Sequence, residues 1–376
     1  MKLGFLIYSY FPYGGQQRDF LKIAKECLAR GHRVIVYTMK WEGERVAGIE
    51  VNIVPVTAVW RTRLYQRFTE RVLTQLSEDR CDLVIGFNKM PGLDVYFAAD
   101  PCFEDKALTQ RGKYYRYTAR YRHFSAYERA VFESSSRTSI LTLSPLQQQT
   151  YAKHYPASVS RMTLLPPGIA EDRKLSDISA ETRRQLRNEF TLGDNDLLVL
   201  QVGSGFKIKG VDRSLRALAA LPEAIRRRVT YLLIGKDKAE GFLRLAKSLG
   251  VAERFTVLPG RDDIPRFMLG ADLLLHPALS ESAGHVLLEA TIAGLPVLTT
   301  STCGYAFHIE KAGSGKVCGE PFSQLELNDM LADMLISPDR QTWQINGMRY
   351  GKEEDLFSMV KVAVDQIEQH GQTTSS

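Results

Sequence analysis

Apolar residues along the chain gather in short runs that alternate with longer stretches where they recur at three- and four-residue spacing. That rhythm predicts short buried strands separated by amphipathic helices. The opening "KLGFLIYSYF" reads as a strand, "PYGGQQRD" as a glycine turn, "FLKIAKECLARG" as a helix closed by Gly31, and "HRVIVYTM" as the next strand. Together they make a βαβ unit. "CDLVIGFN" and "VYFAAD" continue the strands, the latter predicted to run to Asp100. A helix rich in tyrosine and arginine follows near 113–132, then the strand "SILTLS" and the helix "PLQQQTYAKHY". The rhythm breaks at Pro166, Pro167 and Gly168, where the interdomain hinge is expected.

The second half restarts with "DLLVLQVGS" and repeats the alternation through "TYLLIG", "FTVLPG", "DLLLHP", "LPVLTT" and "GKVC". Two α/β domains are therefore expected, 1–167 and 168–354, each a Rossmann-like, doubly wound parallel sheet. They are expected to face a cleft, with ligands at the carboxyl ends of the strands. A last helix, about 355–372, has no strand after it and is expected to pack back onto the first domain.

Composition supports this division. A chain of 376 residues exceeds what one hydrophobic core usually supports, and 44% hydrophobic with 24% charged residues is ordinary for a globular protein. The start, "MKLGFLIYSY", alternates as a strand does and lacks a signal peptide's cleavage site, and no later run is long enough to cross a bilayer. A cytoplasmic protein is expected. Cys27, Cys81, Cys102, Cys303 and Cys318 show no metal-ligand spacing, no histidine cluster occurs, and "DND" at 194–196 reads as a turn. Neither a metal nor a cofactor is therefore expected. A net charge of +6 favours an anionic partner without naming it.

The candidate chemistry centres on "HPALSESAGHVLLEATIAGLPVLTT". Its helix is predicted to begin about Ala283 and Gly284, so the first backbone amides lack intrahelical acceptors and form an anion site suited to a diphosphate. Glu281 stands before that helix and Glu289 within it. Two acids beside an anion site would repel the ligand unless they accept hydroxyls, those of a group beyond the phosphates at Glu281 and of a ribose at Glu289. In "QVGSGFKIKGVDRSLRAL" the glycine loop carries Lys207 and Lys209, but Val211 and Asp212 stand where a nucleotide-triphosphate loop needs Lys-Ser/Thr. Lys209 can instead neutralise a departing diphosphate, and so can Arg173. In the first domain Gly14 and Gly15 make a turn before a helix carrying Asp19, while Asp100 is the candidate for binding an acceptor hydroxyl.

These segments resemble the Glu-x7-Glu signature and donor-phosphate loop of retaining GT-B glycosyltransferases. "YFPYGGQQRDFLKIA", "GFNKMPGLDVYFAAD", "ERAVFE", "LLPPGI" and "STCGYAFHI" are similar to the lipopolysaccharide core glucosyltransferase I (WaaG/RfaG) family, over nearly the whole chain. The resemblance implies transfer of a hexose, usually glucose, from a UDP-sugar to a heptose of the inner core, with retention and without a metal. It implies that Glu281 holds the donor sugar, and that the backbone of Ala283, Gly284, His285, Val286 and Leu287 binds sugar and diphosphate. Glu289 would bind ribose, Lys209 and Arg173 the diphosphate, Gly15 and Asp19 the donor from the first domain, and Arg261 the uracil. Catalytic roles fall to Glu281, Lys209 and Asp100. His285 departs from the family's commoner apolar residue, which leaves galactose or an N-acetylhexosamine open as the donor sugar.

The partner expected with this activity is a lipid-linked, heptosylated inner-core acceptor at the inner face of the inner membrane. In "KYYRYTARYRHFSAYERAVF" a stripe of Tyr114, Tyr117, Tyr121 and Phe124 beside Arg116, Arg120 and His123 suits an anionic membrane surface. The rivals are a UDP-hexose transferase with a glycolipid or disaccharide acceptor, and a basic nucleic-acid-binding protein. The second lacks any nucleic-acid motif, and Glu281 and Glu289 would repel phosphates.

Overall fold

The computed structural model describes residues 1–12, 14–170 and 180–375. The chain divides into two units, one of Met1–Gly168 with Ser358–Ser376 and one of Ile169–Phe357.

In the first unit the strands are β1 (Lys2–Leu6), β2 (Ser9–Tyr10), β3 (Arg33–Thr38), β4 (Lys40–Trp41), β5 (Ile49–Ile53), β6 (Leu83–Gly86), β7 (Val95–Phe97), β8 (Ser139–Thr142) and β9 (Met162–Leu164). Between them run the helices α1 (Gly15–Ala29), α2 (Arg61–Glu78), α3 (Phe103–Gln110), α4 (Ala119–Phe132) and α5 (Pro145–His154). Seven strands form one parallel sheet in the order β5-β3-β1-β6-β7-β8-β9, while β2 and β4 pair in a small ribbon of their own.

The second unit holds β10 (Leu197–Val202), β11 (Val229–Ile234), β12 (Phe255–Leu258), β13 (Leu273–His276), β14 (Val297–Thr300) and β15 (Gly315–Cys318). Its helices are α6 (Ala180–Glu189), α7 (Val211–Ala220), α8 (Glu223–Arg226), α9 (Glu240–Ser248), α10 (Ile264–Gly270), α11 (His285–Ile292), α12 (Ala306–Ala312), α13 (Gln324–Ile336) and α14 (Arg340–Glu353). The sheet order is β12-β11-β10-β13-β14-β15, again all parallel. Strands such as "LLVLQV" are apolar but for Gln201 because helices cover both faces of the sheet.

In each sheet the first strand lies inside and the chain runs to one edge before crossing to the other. The crossing falls between β1 and β6 in the first unit and between β10 and β13 in the second. Such switch points open a crevice at the strands' carboxyl ends.

The final helix, α15 (Met359–Ser375), belongs to the first unit and packs against α1. Arg30, the C-cap of α1, reaches Asp365 at 2.6 Å and Glu368 at 2.8 Å, and Glu368 also meets His32 at 2.8 Å.

The helix expected near 113–132 is two elements. Lys113–Tyr117 is a 3-10 turn, and α4 starts only at Ala119, because the Thr118 side chain accepts from the amide of Tyr121 and caps a new helix there. The expected stripe is therefore broken. Tyr114 and Tyr117 stand in solvent, at 86% and 81% exposure, whereas Tyr121 donates to Glu104 at 2.8 Å and Phe124 packs on Phe103 at 5.5 Å. His123 is half-buried rather than on a basic face, and burial lowers its pKa.

Candidate active site

Two loops close over the β10–β13 switch point. After β10 the chain passes through residues 203–210, where Gly203, Gly205 and Gly210 all have positive φ. At Gly210 (φ 70°) glycine is doubly required, because a Cβ there would lie 2.0 Å from the carbonyl oxygen of Pro277 in the loop after β13. The amide of Leu279 donates to the Ile208 carbonyl at 2.7 Å, and the Arg213 guanidinium bridges the carbonyls of Pro277 and Ala278 at 3.3 Å each. From beneath, buried Gln201 donates to the Lys209 carbonyl at 2.7 Å and accepts from Ser214 and Tyr231 at 2.6 Å each. Lys209 is thus aimed by its backbone.

Its ammonium pairs with Oε1 of Glu281, and Nε2 of His276 meets Oε2 of the same carboxylate at 2.7 Å. Lys207, by contrast, is exposed. Glu281 is itself fixed in the backbone, its amide donating to Thr302 at 3.1 Å and its carbonyl accepting from Gly304 at 2.9 Å. Burial alone would push the Glu281 carboxyl up, but the charges and hydrogen bonds of His276 and Lys209 outweigh it and hold the group well below the usual carboxylate range. Glu281 is therefore an anion with both oxygens engaged, rather than one reaching freely into a crevice.

Immediately beyond, α11 begins at His285, a residue or two later than the sequence suggests. Its N-cap is Gly284, at φ 109° and with no capping side chain. The first-turn amides are thus open to an anion, although that of Leu287 already donates to the Gly284 carbonyl at 2.9 Å. Ala283 and Leu287 are buried and Val286 is half-buried. His285 stands edge-on to Tyr305, ring centroids 5.4 Å apart, with its Nε2 buried and without a hydrogen-bond partner among the described residues. In the second turn Glu289 is half-buried and forms no ion pair with a described residue.

The other candidates are carried by other segments of the chain. Arg261 follows edge strand β12, is exposed, and is held by Asp263 at 2.7 Å and 2.9 Å. Arg173 lies outside the described residues. In the first unit Gly15 opens α1 with free space where a Cβ would be, and Asp19 is buried one turn later. Asp100 is not at a strand end, since β7 stops at Phe97. It sits in the following loop, its carbonyl accepting from Tyr151 at 2.9 Å and Gln147 at 3.2 Å. Burial raises its carboxyl, against the pull of Lys89, Asn88 and Lys106.

The tertiary structure also assembles a group the sequence does not announce. His276, Glu281 and Cys303 bring ligand-type atoms within 4.8 Å of one another. Their chemistry suits a metal poorly. Both Glu281 oxygens are engaged, a lysine sits on one of them, and burial pushes the Cys303 thiol up to about 11, so it stays protonated. All five cysteines are free thiols.

The sequence matches the family "Glycosyl transferases group 1" over residues 182–349 and "Glycosyltransferase Family 4" over residues 13–173. It is 46% identical over 368 residues to the lipopolysaccharide glucosyltransferase WaaG of Escherichia coli K12, covering 98% of both chains. The chain belongs to the WaaG family. The crystal structure of WaaG superposes with a TM-score of 0.91 over 97% of this chain and 99% of that one, so the fold is GT-B. Anabaena HepE in complex with UDP and glucose, 18% identical, shares the fold at a TM-score of 0.74 over 98% of this chain and all of its own. Membership in the WaaG family makes the chain a hexosyltransferase.

His276, Gln201 and Arg213 escaped the sequence reading. Only the "HP" at the end of an apolar strand, just before Glu281, hinted at His276. The two others are ordinary polar residues until the fold sets them under the Lys209 loop.

Proposed function

We propose that the chain moves glucose from UDP-glucose, with retention of configuration and without a metal, to a heptose of the lipopolysaccharide inner core, forming an alpha-1,3 linkage. One observation carries this reading: Lys209, Glu281 and the open N-terminus of α11 converge on one switch point. That convergence provides a cation and a dipole for a diphosphate, with an oriented carboxylate beside them for sugar hydroxyls. Glu289, half-buried and without an ion-pair partner among the described residues, is suited to the two hydroxyls of a ribose.

In this reading the diphosphate draws Lys209 onto itself, while His276 keeps Glu281 in place as an acceptor for donor hydroxyls. The acceptor hydroxyl attacks the anomeric carbon on the face from which the diphosphate leaves. Its oxygen bonds to carbon as the carbon–phosphate oxygen bond breaks, and the proton passes to a leaving-group oxygen. Lys209, Arg173 and the α11 amides stabilise the charge that develops on UDP, each contact being worth about 3 kcal/mol of the barrier. Asp100 binds an acceptor hydroxyl. Arg261 contacts the uracil.

The acceptor is lipid-linked, and the protein works as a peripheral enzyme at the inner face of the inner membrane. Among the described residues no helix is long and apolar enough to cross a bilayer. The exposed Tyr114 and Tyr117, with Arg116 and Arg120 nearby, suit an anionic headgroup region.

Incubation with a panel of UDP-sugars and heptose-terminated lipopolysaccharide, read by mass spectrometry, tests the reaction. A mass gain of one hexose from UDP-glucose is expected. Transfer only to a glycolipid or disaccharide acceptor would overturn the acceptor, and preference for UDP-galactose or an N-acetylhexosamine donor would overturn the sugar. Calorimetry with UDP in EDTA tests the metal, and binding lost in the chelator would refute a metal-free site.

A further inference from the structure

The entry to α2 carries two residues that the fold does not use. Val59 is 93% exposed and Trp60 75%. Trp60 is moreover the N-cap of α2, a position that normally holds a small hydrogen-bonding residue, and its side chain makes no capping bond. The first turn has no acid and instead carries Arg61 and Arg63, cations at the positive pole of the helix dipole. In water each of these choices weakens the helix or exposes a large apolar surface.

The loop is nevertheless held firmly. Arg67 donates to the Thr57 carbonyl and Arg71 to the Pro55 carbonyl, which fastens the incoming chain along the helix and leaves Val59 and Trp60 projecting at its tip. Tyr65, in the second turn, stacks on Tyr8 with centroids 3.9 Å apart and meets Phe124 of α4 at 6.2 Å. That contact sets the second turn of α2 beside the second turn of α4, the helix that follows exposed Tyr114 and Tyr117. Arg61 and Arg63, in the first turn of α2, and Arg116 and Arg120, on either side of Thr118 at the start of α4, are all exposed.

We propose that the Val59–Trp60 tip is a second membrane-docking element, inserting its indole at the headgroup level of an anionic bilayer while Arg61 and Arg63 meet lipid phosphates. Both local costs reverse there. An indole prefers the membrane–water interface to water, and anionic headgroups supply the negative charge that the first turn of α2 lacks. The inference rests on the peripheral-membrane reading above and adds to it an anchor outside the 113–132 segment.

The test uses the full chain and vesicles of phosphatidylcholine with phosphatidylglycerol. Trp41 stacks on Tyr10 at 4.0 Å and Trp343 packs against the core of the second unit, so Trp60 is the tryptophan placed to meet lipid. Brominated acyl chains should quench part of the wild-type emission, and Trp60→Phe should abolish that quenching. Val59→Ser with Trp60→Ser should weaken vesicle co-sedimentation at least fivefold. Arg61→Glu with Arg63→Glu should weaken it more than tenfold at low salt and less at high salt. Because all four side chains are exposed and both pairs of changes favour the start of α2, the variants should melt at or slightly above the wild-type temperature and keep the UDP affinity. Quenching that survives Trp60→Phe, or sedimentation unchanged in both pairs, overturns the proposal. If Arg120→Glu alone weakens sedimentation, the membrane reading stands and this anchor falls. If the wild type never sediments, both fall, and a wild-type dimer made monomeric by the serine pair would assign the tip to a second copy of the chain instead.

Discussion

Strand β13 is flanked by a buried acid before it and a half-buried one after it, and the two are treated oppositely. At its amino end Asp272 is 3% exposed and saturated. Arg183 and Arg340 meet its Oδ1 at 2.7 Å each, while Arg187 at 3.2 Å and the Leu198 amide at 2.7 Å meet Oδ2. Past its carboxyl end Glu281 keeps 17% of its side chain accessible and has one lysine and one histidine. Three arginines around one aspartate leave nothing for a ligand to do, whereas a lysine shared with a single glutamate can be drawn off by a stronger anion. The first arrangement staples α6 and α14 to the sheet. The second is poised for exchange.

The sharpest way to break this contrast is Asp272→Ala, which would leave three guanidinium groups facing one another. It should lower the unfolding free energy by about 3 kcal/mol, the low end for a broken buried pair because Arg183 and Arg340 keep some water. Urea unfolding measures it, and a loss below about 1 kcal/mol would erase the distinction. Glu281→Ala should act mainly on the chemistry, cutting turnover by a factor of about 10²–10³ with little change in UDP affinity and a smaller loss of unfolding free energy than Asp272→Ala.

Glu289→Ala should weaken UDP itself by about 1.5–3 kcal/mol, since only this acid is expected to touch ribose. Equal loss of UDP affinity in the Glu281 and Glu289 variants would refute that division. On acidification, both Asp272 and Glu281 have folded-state pKa values below their unfolded ones. Their stabilisation is therefore complete above about pH 5 and is lost as pH falls through the unfolded values, about 4, towards the folded ones. Unfolding free energy should decline over that range, and Asp272→Asn should flatten the decline. The smallest effect belongs to the exposed loop lysine: Lys207→Ala should change kcat/KM less than about twofold, whereas Lys209→Ala should cost far more.

The membrane expectation needs one adjustment. Arg116 reaches Glu104 at 3.2 Å, so reversing its charge breaks a local ion pair as well as any lipid contact, and Arg120 is the cleaner probe.

Much of the architecture was legible because alternation is a local property. Runs such as "LLVLQV" and "TYLLI", with glycine loops between them, specify a parallel sheet without knowledge of partners. Glu281, Glu289, Gly284 and Lys209 were legible for the same reason, since a strand, a glycine turn and a helix start lie within a few residues of one another. Sequence alone misjudged the 113–132 helix, because Thr118 looks like any threonine until its oxygen is found capping Tyr121. What only the tertiary structure decided is pairing across distance. Lys209 and Glu281 lie 72 residues apart, and they meet because β10 and β13 became neighbours and Gly210 lets the two loops touch. His276 acquired its part the same way: its neighbours in the sequence make it the end of an apolar strand, and the fold places a carboxylate against its ring.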